Sequence, residues 1–184
     1  DRHGNFYFTD LGKVRGRTWD RGAVYYATSD GKGVKEVVFP IVTPNGIGLS
    51  PDEDFLYVAE TETARLWQFR IVRPGELAKE PYPSQNGGAL VAGIGEFQRF
   101  DSLKVEADSR LSIATLVTGA VTSITRDGKA VEQVMTGDRY TTNLCFGGPD
   151  QRTCYATLSG GGTLVKGAWP RAGLKLHFSD PANP

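Results

Sequence analysis

Short apolar runs alternate with turn residues along the whole chain. Asn45-Gly46-Ile47-Gly48-Leu49 is followed by Ser50-Pro51-Asp52 and then by Phe55-Leu56-Tyr57-Val58-Ala59. An apolar run, a Pro-Asp turn and a returning apolar run predict two antiparallel strands. The pattern recurs: Asp101 leads through Leu103 and Val105 to Asp108 and the run at 111–115, and Asn143 leads through Leu144 and Phe146 to Asp150 and the run at 153–157. An Asp follows each lead residue by seven positions (Asp52, Asp108, Asp150), and a bulky residue follows by twelve (Tyr57, Ile113, Tyr155). Such self-similarity predicts a repeat architecture. The chain opens inside one such unit, because Asp1 begins a turn before the apolar run at 6–10 and so stands as the counterpart of Asp52. The lead position of that copy is expected upstream of residue 1.

The intervening segments supply further strands. Residues 23–27 and 34–41 flank Ser29-Asp30-Gly31-Lys32-Gly33, and residues 120–125 and 130–135 flank Arg126-Asp127-Gly128-Lys129. Residues 65–71 and 90–94 enclose a Pro/Gly-rich outer loop at 73–88, and residues 163–169 precede a Pro/Gly-containing tail. No helical period emerges. The 23 glycines and 10 prolines sit between the runs rather than in one tract. The pattern predicts an all-β fold, a β-propeller of about four four-stranded blades, forming a single domain over residues 1–184 that is incomplete at its N-terminal side.

Composition narrows the classes of partner. The formal charge is zero, with 21 basic and 21 acidic residues and no basic block, so nucleic acid is not expected. No apolar run approaches the ~20 residues of a membrane helix. A soluble protein is expected, with the compartment open and the cytoplasm favoured. Cys145 and Cys154 flank the Pro149-Asp150 turn; two free thiols packing a sheet are favoured over a cross-strand disulfide. His3 and His177 are expected to face solvent without partners, and the strand before Trp169 to present an unpaired edge. No Gly-x-Ser-x-Gly elbow, P-loop or dinucleotide fingerprint occurs.

Chemistry is therefore sought at the repeat's first position, where each copy begins with an oxygen-bearing side chain: Asn45, Asp101 and Asn143. In blades arranged about an axis, equivalent positions converge, and converging oxygens suit a hard cation. The connection at 11–22 lies at the same end and carries Lys13, Arg15 and Arg17, which could meet an anionic or polyhydroxylated substrate or form a solvated loop.

Pro44-Asn45-Gly46-Ile47-Gly48-Leu49-Ser50-Pro51-Asp52 with Leu56-Tyr57-Val58-Ala59 resembles the signature of the gluconolactonase/regucalcin (senescence-marker-like) lactonase family. Gly4-Asn5-Phe6-Tyr7-Phe8-Thr9-Asp10 and Phe100-Asp101-Ser102-Leu103 match it in order. The resemblance implies a six-bladed propeller with one axial divalent cation held by a Glu, two Asn and an Asp. It makes Asn45 the second metal Asn, and Asp101 both the metal Asp and the general base or nucleophile. The position of Asn143 is not a ligand in that family, so Asn143 is expected to line the pocket, with Lys13, Arg15 or Arg17 on the developing carboxylate. The implied cofactor is calcium, with zinc, magnesium or manganese as alternatives. The implied reaction opens a sugar lactone or similar cyclic ester. The family's metal Glu and its other Asn have no counterpart in this sequence, so other blades or a second copy are expected to complete the site. A non-catalytic propeller scaffold, or a related propeller esterase or organophosphatase, stays open as an alternative.

Overall fold

The computed structural model describes residues 1–179, and the end of the predicted tail, residues 180–184, lies outside them. Four antiparallel sheets succeed one another, and among the described residues no helix forms. The first sheet holds β1 (Phe6–Asp10), β2 (Gly22–Ala27) and β3 (Val34–Ile41). The second is built from β4 (Pro44–Leu49), β5 (Phe55–Glu60) and β6 (Arg65–Arg73), with both β7 (Glu76–Leu77) and β8 (Ala89–Gly93) paired to β6. The third holds β9 (Arg99–Val105), β10 (Leu111–Leu116), β11 (Ala120–Ile124) and β12 (Val131–Met135), and the fourth β13 (Thr141–Gly147), β14 (Thr153–Leu158) and β15 (Thr163–Ala168). The third sheet has the predicted four strands. The second gains β7 from the insertion at 73–88, and the first and fourth have three strands each.

The repeated Asp is a turn device. In each copy its Oδ1 accepts a hydrogen bond from the amide two residues on: Asp54 to Asp52 at 3.1 Å, Arg110 to Asp108 at 3.0 Å and Arg152 to Asp150 at 3.1 Å. The residue between them takes a positive φ, 62° at Glu53, 71° at Ser109 and 57° at Gln151. Asp1 does the same work, accepting from His3 and Asn5 at 2.9 Å each, which supports its alignment with Asp52. A short carboxylate that mimics a backbone turn reverses the chain locally, so the strand pairs recur wherever this Asp recurs.

Consecutive sheets pack face to face. Val24, Val38, Ile41, Leu56, Val58 and Phe69 fill the space between the first and second sheets, and Tyr57, Leu66, Phe100, Leu103, Leu111 and Ile113 fill that between the second and third. Ala114, Val121, Leu144, Cys154 and Trp169 seal the third against the fourth. Each large aliphatic or aromatic side chain buried there contributes about 1.5–3 kcal/mol. The leading strands β4 and β9 lie so close that a Cβ on Gly46 would sit 2.5 Å from Asp101 O and Leu103 N. Only glycine allows that approach.

After β15 the chain does not simply trail away. Ala107 N donates to Ala172 O at 2.9 Å, Leu174 N to Val105 O at 3.0 Å and Gly173 N to Gln151 O at 2.8 Å, so the tail runs beneath the Asp turns. His177 Nε2 meets Glu53 Oε1 at 2.7 Å, which corrects the expectation of an unpartnered histidine. Trp169 is buried, its Nε1 donating to Glu106 Oε1 at 3.0 Å, while β15 beside it is exposed throughout. Cys145 and Cys154 are free: Cys145 pairs with Tyr155 and Cys154 with Phe146, so their side chains leave opposite faces of the sheet.

Candidate functional site

A register shift builds the site. Pro44 pairs with Glu60 and Ile47 with Val58, so Asn45 and Gly46 together oppose Ala59. In the third sheet Phe100 pairs with Thr115 and Leu103 with Ile113, so Asp101 and Ser102 together oppose Ala114. An extra residue on one strand bends it and re-aims a side chain. Here it turns the two lead residues toward each other. Asn45 Nδ2 donates to Asp101 Oδ1 at 2.7 Å and to Thr61 Oγ1 at 3.2 Å. Thr9 Oγ1, from the first sheet, donates to Asn45 O at 2.8 Å. Three sheets thus meet at one polar point. Burial pushes the Asp101 carboxyl above its ordinary pKa, and the bond from Asn45 opposes the shift without cancelling it.

Asn143 is not drawn in. In the fourth sheet the shift falls between Thr141 and Asn143, and Asn143 itself stays in register opposite Thr157. Its side chain is exposed, and its Oδ1 accepts from the next amide, Leu144 N, at 2.8 Å. Lys13, Arg15 and Arg17 ride on a small hairpin closed by Arg15 N to Thr18 O at 2.8 Å and Asp20 N to Lys13 O at 3.0 Å. All three are exposed, and Arg15 is engaged by Asp20 at 2.7 Å. The hairpin base reaches the site's edge, where a Cβ on Gly22 would lie 2.3 Å from the ring of Pro44.

Several residues at the site carry no motif. Glu60 is buried and accepts from Val42 N at 3.1 Å and Thr63 Oγ1 at 2.5 Å, which fixes the loop that presents Thr61. Glu62 N donates to Thr43 Oγ1 at 3.0 Å, and Glu62 Oε2 pairs with Arg99 Nη2 at 2.8 Å. The only signal for them is the polar run Glu60-Thr61-Glu62-Thr63, which begins on the last residue of β5.

Asn45 Oδ1, Thr61 Oγ1 and the Asp101 carboxylate are hard oxygen donors, and the 2.7 Å bond from Asn45 Nδ2 holds the amide beside that carboxylate. Among the described residues no group of three or more His, Cys, Asp or Glu converges. The donors present therefore fit part of a hard-cation shell.

Sheets packed in succession, with their leading strands side by side and a polar cluster where those strands meet, define a β-propeller. The chain belongs to the SMP-30/Gluconolactonase/LRE-like family, whose characteristic region matches residues 1–160. It is similar to Lactonase drp35 of Staphylococcus haemolyticus strain JCSC1435, with 32% identity over 136 residues, 73% of this chain and 39% of the relative. Lactonase drp35 of Staphylococcus aureus strain MRSA252 is 32% identical over 140 residues, 76% of this chain and 41% of the relative. The chain thus spans about two fifths of the length of these curated relatives. Among solved structures, the calcium-binding protein regucalcin of Agrobacterium tumefaciens superposes over 95% of this chain and 62% of its own, with a TM-score of 0.70 at 19% identity. The periplasmic gluconolactonase of Pseudomonas aeruginosa superposes over 97% and 55%, with a TM-score of 0.64 at 16% identity. At such identities the superpositions establish the fold.

Proposed function

We propose that Asn45 and Asp101 belong to the active site of a hydrolase that opens a lactone, a cyclic ester, to its hydroxy acid. The observation that carries this is the 2.7 Å contact between the two side chains, each turned out of its own sheet by a register shift. Relatives named lactonase and a fold shared with gluconolactonases support the choice of substrate class.

Asp101 is the general base. Burial raises its carboxyl above the ordinary value, and Asn45 Nδ2 fixes one of its oxygens. Asp101 takes the proton of a water as that water attacks the lactone carbonyl carbon. The ring C–O bond then breaks, and the leaving alkoxide recovers the proton from Asp101. Lys13 and Arg17, exposed on the hairpin whose base packs on Pro44, would meet the new carboxylate. A divalent cation, calcium before zinc, magnesium or manganese, would be held by Asn45 and Asp101, with further ligands from outside these residues, in the same protein or a second copy. When bound, it supplies positive charge for the oxyanion.

The test is Asp101→Asn, followed by pH-stat titration of lactone opening. Loss of a general base predicts a fall of about 10²–10⁴-fold with an unchanged thermal melt. Turnover within threefold of wild type would sink the assignment, as would a wild-type protein that opens no lactone with divalent cation supplied.

A further inference from the structure

At the far end of β9 from Asp101, a cleft of about 520 Å³ opens between the second and third sheets. Phe55, which opens β5, and Gln68 of β6 form one wall. Arg110, from the Asp108 turn, and Thr125 and Arg126, from the turn after β11, form the other. That second turn packs against the neighbouring sheet at Gly128, where a Cβ would collide with the carbonyl of Val91. The cleft is thus framed by packed backbone, and the proposed reaction leaves it unused.

Its two arginines have donors to spare. Arg126 lies over the Phe55 ring, 4.5 Å from the centroid, and meets Asp52 Oδ2 only at 3.9 Å. The Arg110 side chain is 17% exposed and meets Glu132 Oε1 at 3.5 Å and Asp108 Oδ2 at 4.0 Å. Its Nη1 is buried with no hydrogen-bond partner among the described residues. The carboxylates, by contrast, are engaged. Asp127 accepts from Thr125 Oγ1 at 2.7 Å and Lys129 N at 3.1 Å, Glu132 from Arg171 Nη1 at 3.1 Å, and Asp52 from Ser50 Oγ and Asp54 N. A guanidinium carries five N–H donors, and a buried donor left unpaired is costly. A ligand that brings acceptor oxygens relieves that cost.

Shape and charge decide which ligand. A planar fork of N–H groups matches the two oxygens of a carboxylate. Hydrogen bonds from Ser50 and Thr125 hold Asp52 and Asp127 below the ordinary carboxylate range, so both stay ionised at neutral pH beside the arginines. A second negative charge on the ligand would face them and be repelled.

We propose that this cleft is a binding site for a small, singly charged carboxylate, separate from the site at Asp101. Arg110 and Arg126 donate to the carboxylate oxygens, and the body of the ligand lies along Gln68. Binding there needs neither a cation nor turnover at Asp101.

Benzoate and its neutral isostere benzamide are titrated calorimetrically into the whole chain without divalent cation, with inorganic phosphate as a third probe. Benzoate is expected to bind once per chain with a Kd on the order of 1 mM or below, at least about tenfold tighter than benzamide or phosphate. Arg126→Gln and Arg110→Gln should each weaken it by about tenfold or more, through the loss of a charge-assisted hydrogen bond. Asp101→Asn, at a distant site, should leave the Kd within about twofold of wild type. No saturable benzoate binding, benzamide binding equally well, or a Kd that survives both arginine substitutions overturns the proposal. Tighter binding of phosphate overturns the choice of a singly charged ligand. Loss of benzoate binding in Asp101→Asn would put the ligand at the other site and sink this one. If Arg110→Gln does not fold, Arg126→Gln, on a side chain 40% exposed, gives the same readout.

Discussion

Glu106→Gln probes the most heavily bonded carboxylate in the molecule's interior. Glu106 is fully buried and accepts from Arg171 Nε at 2.5 Å, Ser112 Oγ at 2.6 Å, Trp169 Nε1 at 3.0 Å and Ser123 Oγ at 3.1 Å. Burial alone would raise its pKa. The bonds from Arg171, Ser112 and Trp169, with the charge of Arg171, outweigh that and hold it below the ordinary 4.5. Glutamine turns an NH2 toward one of these donors and removes the charge that Arg171 answers. A hydrogen bond to a charged group contributes about 1.5–3 kcal/mol. Arg171 is 23% exposed and also meets Glu132 at 3.1 Å, so water and that second carboxylate relieve part of the loss. The expected cost is about 2–3 kcal/mol, or roughly 5–10 °C in Tm for a chain of this size. Urea titration at pH 7 measures it, and Arg171→Met closes a double-mutant cycle that should fall short of additivity by about 1 kcal/mol or more. Because the folded pKa is depressed, this stability is complete above the unfolded value of 4.5 and is lost as pH falls through the folded one. The gap between wild type and variant should therefore narrow only below about pH 4.5. A difference under about 0.5 kcal/mol at pH 7, or an additive cycle, would refute the reasoning.

Three further perturbations follow from the packing. Among the described residues the buried Tyr57 hydroxyl has no hydrogen-bond partner, so Tyr57→Phe should raise stability by about 1 kcal/mol in a urea melt, and a loss of that size would mean a bonding partner exists. Gly46→Ala places a methyl group against the backbone of Asp101 and Leu103, so it should cost about 2–4 kcal/mol by pushing β4 from β9; a variant as stable as wild type would contradict the close approach. Burial pushes the Cys154 thiol up to about 11, whereas Cys145 is exposed, so alkylation at pH 8 should label one thiol quickly. Cys145→Ser should abolish that fast phase, and a fast phase that persists would place Cys154 in solvent.

What could be read in advance was what local chemistry dictates. The Asp turns act over two residues, so Asp52, Asp108 and Asp150 announced their strand pairs, and Asp1 announced that the first apolar run belonged to the same unit. The contact between Asn45 and Asp101 was anticipated through the repeat and the family resemblance. Asn143 shows where that logic ends: its spacing from the Asp turn matches theirs, but its strand shifts register one step earlier, at Thr142 rather than at the lead residue. Register depends on cross-strand pairing, which letters in a row do not encode. Glu106 with Trp169 and Arg171, and Glu53 with His177, were hidden for a related reason, since their partners lie far along the chain and no motif joins them.

The tail beneath the turns bears on the order in which the molecule assembles. Each sheet is a meander of neighbours in sequence, so its hydrogen bonds form over short loops, the kind of contact that folds fast. The tail does the opposite, joining Trp169 to Glu106 across 63 positions and His177 to Glu53 across 124. It is synthesised after every sheet it touches, and it can dock only once the Asp turns are in place to receive it. Assembly is then local first and clasped last. A protease cut between residues 170 and 176 would leave each meander intact and release the clasp, turning one cooperative unfolding transition into a succession of smaller ones.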